Sequence, residues 1–184
     1  MKELSLNVLD VAKNSVKAGA KNVVISIKET EETLELSISD DGCGMTPEFL
    51  ANVTDPFCTT RTTRAVGLGI PLLKLQAEQT GGEMSIESKS QELSPDDHGT
   101  TTRALFYKNH IDMTPLGDIC SSVVTLIQGN PDIDFLFTHT SPEFDVKLDT
   151  KELREILGDD VPLDNAEVLL WITGYLEGQY AGDE

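Results

Sequence analysis

Leu34-Glu35-Leu36-Ser37-Ile38-Ser39-Asp40-Asp41-Gly42-Cys43-Gly44-Met45 is the stretch on which the reading of this chain turns. Apolar and polar side chains alternate up to Ser39, the period of a half-buried strand. Asp40 then stands at the strand end, followed by two glycines one residue apart. A carboxylate held there can accept a hydrogen bond from an exocyclic amine such as that of adenine. Gly42 and Gly44, having no Cβ, let the backbone pass close to a flat ligand. The same pattern also makes an ordinary tight turn, and by itself it does not separate the two.

Outward from this centre, residues 22–29 alternate in the same way through Val23, Ile25 and Ile27, giving an antiparallel pair joined by the acidic turn Glu29–Glu32. Residues 3–18 form a helix by spacing, with Leu4, Val8, Val11 and Ser15 on one face and Gly19 as its stop. Asp10 and Asn14 are four apart on that helix and Lys17 three further on. The face is either an ordinary polar one or one suited to a metal–polyanion complex, the Asn14 amide oxygen toward Mg²⁺ and Lys17 toward phosphate. Thr46-Pro47 opens a short helix. Asp55 to Val66 is rich in Thr and Arg without a period, a lid whose Arg61 and Arg64 suit phosphate oxygens. Gly67-Leu68-Gly69 precedes a helix over 70–79, so that its first N–H groups can face an anion. Strands are expected at 84–88 and 99–107.

These segments together resemble the N, G1, F, G2 and G3 boxes of the GHKL superfamily, which includes the gyrase, Hsp90, histidine kinase and MutL ATP-binding domains. They are Asp10-Val11-Ala12-Lys13-Asn14-Ser15-Val16-Lys17, the Asp40 turn, Asp55-Pro56-Phe57 with Thr59-Thr60-Arg61, Gly67-Leu68-Gly69-Ile70, and Gly99-Thr100. The resemblance covers roughly residues 1–108. The N and F boxes look most like those of sensor kinases, and Ala18-Gly19-Ala20 looks like MutL.

The resemblance implies an α/β (α+β) two-layer sandwich, the Bergerat fold, with helices on one face of a mixed, mainly antiparallel sheet. It implies ATP and Mg²⁺ as cofactors. Asn14, Lys17, Asp40, Gly42, Gly44, Phe57, Thr60, Arg61, Gly67, Leu68, Gly69 and Thr100 would bind the nucleotide, with Asn14 also holding Mg²⁺. Asp10 stands where the ATPase branches carry a glutamate general base, and is one methylene shorter. The implied role is a histidine kinase-like module acting on a protein partner, as anti-sigma-factor kinases do. A slow ATPase switch and a non-catalytic ATP-binding subunit are the alternatives. With no dimerisation helix pair read before the ATP domain, a self-contained sensor kinase is not expected, and with no transducer domain read after it, neither is a MutL- or gyrase-type enzyme.

Residues 110–184 match no motif of the family and are expected to form a small acidic α+β annex docked on a 1–109 domain. Helices are expected at 115–128 (capped by Thr114), 150–157 (capped by Thr150) and after Asp164, with a hairpin across Ser141-Pro142. His110-Ile111-Asp112-Met113-Thr114-Pro115-Leu116 has the spacing of a phosphoacceptor box, but Pro115 favours a helix that begins after the histidine. His98 and His139 are expected to be structural or solvated.

The formal charge of −18 is uneven: 16 acidic and 11 basic side chains up to residue 109, then 16 acidic and 3 basic. That surface repels phosphate backbones and anionic lipids, which disfavours nucleic acid and membrane partners; for the second half it fits an ordinary solvated acidic face, the commoner case, or a surface for a basic protein partner. Three widely spaced cysteines, Cys43, Cys58 and Cys120, argue for reduced thiols and against a disulfide framework or zinc site. Without a long apolar run or a signal peptide, a cytoplasmic location is expected.

Overall fold

The computed structural model describes residues 3–55, 68–158 and 160–182. Helix α1 (Leu4–Lys17) is followed by the hairpin β1 (Asn22–Glu29) and β2 (Thr33–Asp40), then α2 (Pro47–Asn52) and α3 (Gly69–Gln79). Next come β3 (Glu83–Lys89), β4 (Gly99–Tyr107), α4 (Ile119–Gly129), β5 (Asp134–Thr140), β6 (Asp145–Asp149), α5 (Thr150–Leu157) and α6 (Ala166–Ala181). The strands form one mixed sheet in the order β3-β4-β2-β1-β5-β6. Every pairing is antiparallel except that of β1 with β5. The two-layer α/β sandwich expected from the sequence is therefore present.

Register explains the core. Ile25 lies opposite Ile38 on one side and Phe137 on the other, and Leu36 lies opposite Ala104. Because side chains alternate across a strand, this register puts all of them on one face. There they join Leu4, Val8 and Val11 of α1, Leu73 of α3 and Leu126 of α4 in one apolar cluster. Phe106, Phe135 and Phe137 are almost completely buried in it. Each such ring contributes roughly 1.5–3 kcal/mol on leaving water.

The C-terminal hairpin adds its strands directly to the edge of β1 rather than making a separate sheet. Its outer strand β6 is closed by α6. The Gln179 amide oxygen accepts from the Lys147 N–H (2.9 Å) and its NH₂ donates to the Lys147 carbonyl (3.1 Å). A side chain thus takes the backbone groups that an edge strand would offer to another chain.

Three helix caps differ from expectation. The helix expected from residue 115 begins at Ile119, because the Pro115 and Leu116 carbonyls accept from the N–H groups of Leu4 and Ser5 and so cap α1 instead. Asp118 caps α4 through Ser121 N. Asp149, not Thr150, caps α5, since the Thr150 hydroxyl accepts from Phe135 N. Asn165, one residue after Asp164, caps α6.

His139 is 1% exposed and is not solvated. Its Nδ1 lies 2.7 Å from the Tyr180 hydroxyl and its Nε2 2.9 Å from Glu29, whose other oxygen pairs with Lys108 at 2.5 Å. A neutral ring satisfies both contacts if Tyr180 donates to Nδ1 and Nε2–H donates to Glu29. Burial pushes the His139 ring below its ordinary value of 6.5, against the pull of Glu29. Burial would raise Glu29, but the Lys108 and His139 hydrogen bonds outweigh it and hold the carboxyl below its ordinary 4.5.

In both cases the unfolded chain binds more protons on acidification, so both groups destabilise the fold as pH falls: His139 from 6.5 downward, Glu29 from 4.5 downward. Urea unfolding is expected to show the loss between pH 7.5 and pH 4. Replacing His139 with Phe should flatten the upper part of that slope. Tyr180→Phe should cost about 1 kcal/mol at neutral pH, since it leaves Nδ1 unpaired.

Candidate nucleotide site

The end of β2 is where helix α1, the sheet and the following turn converge. Asp40 is the last residue of β2 and faces Thr100 of β4 across the ladder, while Thr100 faces Ser88 of β3. Antiparallel pairing therefore joins residues sixty apart in sequence. Ser88 knits the corner: its hydroxyl accepts from Met45 N (2.8 Å), donates to the Gly99 carbonyl (3.1 Å) and lies 2.8 Å from the Thr100 hydroxyl.

A cavity of about 350 Å³ opens at this corner. Its floor is Ile38, Asp40, Thr100 and Thr102 of the sheet, its α1 wall runs from Val11 through Asn14, Ser15, Lys17 and Ala18, and Gly44, Met45 and Phe49 close the third side. The lining is mostly apolar with few polar groups, which is the character of a small-molecule site.

Asp40 is held from two sides. Ser15 Oγ donates to Oδ2 at 2.6 Å, and Gly42 N–H donates to Oδ1 at 2.9 Å. Each carboxylate oxygen has a further lone pair, so the fixed group still has acceptor capacity toward the cavity. Ser15 was placed among the apolar-facing residues of α1 by spacing, and nothing local marked it as the partner of a carboxylate twenty-five residues on.

Asp41, next to Asp40, is structural. It accepts from Lys21 N, Asn22 N and Asn22 Nδ2 at 2.6–2.9 Å. Burial alone would raise its carboxyl, but the Asn22 side chain and these N–H donors hold it below the ordinary range.

The two glycines of the turn are also required by the protein itself. A Cβ on Gly44, where φ is +64°, would fall 1.9 Å from the Lys89 carbonyl oxygen. One on Gly42 would meet Ala18 Cβ at 2.8 Å. Close approach of protein to protein requires both, beside any approach of a ligand. Gly42 is further fixed by His98, whose Nδ1–H donates to its carbonyl at 2.6 Å.

Of the residues expected at the site, Asn14, Lys17, Asp40, Gly44 and Thr100 line this one cavity, and Gly42 lies directly behind Asp40. Asp10 and Gly69 are brought together elsewhere: a Cβ on Gly69 would sit 3.0 Å from Asp10 Cβ. Neither they nor Leu68, which is exposed, lines the cavity. Phe57, Cys58, Thr60, Arg61, Arg64, Val66 and Gly67 lie outside the described residues, as does the rest of the expected lid. His110 occupies a turn after β4 and is not in a helix.

Residues 2–110 match the family model of the histidine kinase-, DNA gyrase B- and HSP90-like ATPases. The chain belongs to this family. Over 92 residues it is 32% identical to sporulation kinase C of Bacillus subtilis, covering 49% of this chain and 21% of that one. Against the sensor protein SrrB of Staphylococcus aureus identity is 32% over 94 residues, covering 48% and 16%. The chain thus spans 21% and 16% of the length of these two relatives.

The fold of this histidine kinase-like ATPase domain is similar to that of the Aquifex aeolicus MutL ATPase domain, whose structure was solved with ADP. The TM-score is 0.51 at 15% identity, covering 85% of this chain and 69% of that one. That share exceeds residues 2–110 alone, so the fold likeness reaches into the C-terminal strands and helices. No helix among the described residues is long and apolar enough to cross a membrane.

Asn14 of the cavity wall could give one protein oxygen to Mg²⁺ carried by a bound nucleotide. Among the described residues no cluster of three His, Cys, Asp or Glu could hold an ion. Mg²⁺ commonly takes one or two protein oxygens and completes its shell with phosphates and water. Asn14 Nδ2, on the cavity wall, is buried without a hydrogen-bond partner. An unpaired buried amide is what a ligand oxygen would satisfy, and leaving it unmet costs stability.

Proposed function

We propose that the protein binds Mg-ATP and works as a histidine kinase-like module that phosphorylates or regulates a protein partner from the cytoplasm. The observation that carries this reading is Asp40, fixed by Ser15 and Gly42 with acceptor capacity left toward an apolar cavity of about 350 Å³, room enough for a nucleobase. Asp40 would accept from the adenine amine, and Met45, Phe49 and Ile38 would flank the ring. Asn14 would hold Mg²⁺ through its amide oxygen, and Lys17 would meet phosphate. Thr60, Arg61, Gly67 and Gly69 would cradle the phosphates, and Leu68 and Thr100 would complete the nucleotide contacts, Thr100 beside Asp40. Bound ATP would supply the phosphoryl group, and the chain's own part is positioning and charge stabilisation. The acidic C-terminal region would meet the protein partner.

One observation favours a second reading, a slow ATPase switch. Asp10 adjoins Gly69 at the start of α3, where phosphates would lie, so it could act as base toward a water there. Its short side chain argues for intrinsic hydrolysis below about 1 s⁻¹. Radiolabelled ATP turnover decides between the two. Loss of turnover in Asp10→Asn, however slow the wild type, would establish the ATPase, whereas turnover indifferent to Asp10→Asn leaves the kinase or a purely binding role. Asn14→Ala is expected to abolish the Mg²⁺ dependence of ATP affinity in calorimetry while thermal unfolding without nucleotide is retained. Loss of that transition would make Asn14 structural.

A further inference from the structure

Helix α6 is apolar on two sides. Val168, Ile172 and Leu176 are buried in the core, whereas Trp171 and Tyr175, beside that stripe, and Leu170, farther round the helix, are 52%, 43% and 74% exposed. A helix that is apolar all round is normally enclosed. Single exposed apolar residues are common, but three large ones within six positions of one helix form a patch of the kind that marks an interaction site. The two rings are already ordered against each other, with centroids 4.9 Å apart and planes inclined by 11°. Stacking of this kind fixes their rotamers before anything binds, which lowers the ordering cost of association. Between Leu170 and the ring pair lie Gly174 and Gly178, and a Cβ at either would meet nothing within 4 Å. A partner can therefore approach the helix backbone there.

Charge selects the occupant. Glu167 and Glu177 are exposed on the same helix. The region from residue 110 onward has 16 acidic side chains against 3 basic ones, and two of those three, Lys147 and Arg154, are paired with Glu152 and Asp134. A second copy of this chain, itself at −18, would set its own Glu167 and Glu177 against these. An anionic membrane or a nucleic acid meets the same repulsion.

We infer that the exposed face of α6 is the docking surface for a basic amphipathic helix of a protein partner, seated on Leu170, Trp171 and Tyr175 and flanked by Glu167 and Glu177. This rests on the reading that the domain acts on a protein partner, but not on nucleotide binding, because none of these residues lines the Asp40 cavity.

Trp171 is the only tryptophan of the chain, so its emission reports on this face alone. The probe is an 18-residue helical peptide of Leu and Lys, with its Leu/Glu counterpart as control, titrated against the full chain in low salt. The expected result is a blue shift and quenching-protected emission with the Lys peptide and none with the Glu peptide. Affinity should fall at least tenfold in Glu167→Lys/Glu177→Lys and again in Leu170→Ser/Tyr175→Ser.

Equal binding by both double variants, or no shift with the Lys peptide, overturns the proposal. Self-association in sedimentation that Leu170→Ser removes would assign the face to a second copy and overturn it. So would an equal blue shift with neutral phosphatidylcholine vesicles. Circular dichroism confirms that each variant folds, and the surface charge reversals keep the test open should the Ser variant unfold. ATP affinity measured by calorimetry on the same samples fails or holds independently, which separates failure of the docking surface from failure of the nucleotide reading.

Discussion

Asp40→Asn is expected to weaken ATP binding by about 1–3 kcal/mol, measured by titration calorimetry, and to erase the preference for ATP over GTP. The wild-type carboxylate is acceptor-only and held between Ser15 Oγ and Gly42 N–H, so whatever it reads must donate. Adenine offers an exocyclic NH₂ where guanine offers a carbonyl, and guanine would face the carboxylate lone pair to lone pair. The amide replaces one oxygen by an NH₂ that can only donate, so it both loses the ligand's hydrogen bond and perturbs the Ser15 or Gly42 contact. Ser15→Ala tests the same point more gently. The carboxylate stays but one of its two anchors goes, and a smaller loss is expected. Equal affinity of the wild type for ATP and GTP would remove Asp40 from the adenine-reading role.

Gly99→Ala is expected to lower stability by about 3 kcal/mol, a drop in Tm of roughly 6–12 °C for a chain of this size, and to abolish nucleotide binding with it. Two costs add. The residue has φ +140°, a conformation that side chains rarely adopt, and its Cβ would lie 2.0 Å from the Asp40 carbonyl oxygen. Relief requires β4 and the end of β2 to move apart, which displaces the residue proposed to read the base. Gly19→Ala separates the two costs. Gly19 has φ +76° but nothing within 4 Å of a Cβ, so only the conformational penalty of about 1–2 kcal/mol applies and the site is left in place. Similar Tm losses in the two variants would show that contact with Asp40 is not the larger cost.

The site was legible from sequence to different depths on its different elements. Alternation in 22–29 and 33–40 marks strands because one face of a sheet is dry, and the position of Asp40 at a strand end follows directly from that period. Helix spacing likewise puts Asn14 and Lys17 on one side of α1, and both line the cavity. Ser15 was not legible as an Asp40 anchor. A serine on the inward side of an amphipathic helix looks the same whether it packs or donates, and its acceptor comes from another element. Ser88 and His98, which brace Met45, Thr100 and Gly42, were hidden for the same reason. The start of α4 was missed because the competitor for the Pro115 and Leu116 carbonyls, the first turn of α1, is more than a hundred residues away.

The sequence by itself determined the periods of α1 and of the strands, the charge asymmetry and the ordered boxes that announce a histidine kinase-like ATPase domain. The periods and the charge are properties of spacing or composition within a short stretch of chain, which chain geometry and solvation translate directly into structure, whereas the boxes speak through their resemblance to a known family. Only the tertiary structure decided that β5 lies parallel to β1 and carries the acidic C-terminal hairpin into the same sheet. It alone decided that α6 closes the edge strand while leaving Leu170, Trp171 and Tyr175 uncovered, and that Gly44 and Gly99 are required by carbonyls of neighbouring strands. Strand order, edge closure and close backbone approach depend on which distant segments meet. That is settled by the total burial and hydrogen bonding of the whole chain, to which no local pattern gives access.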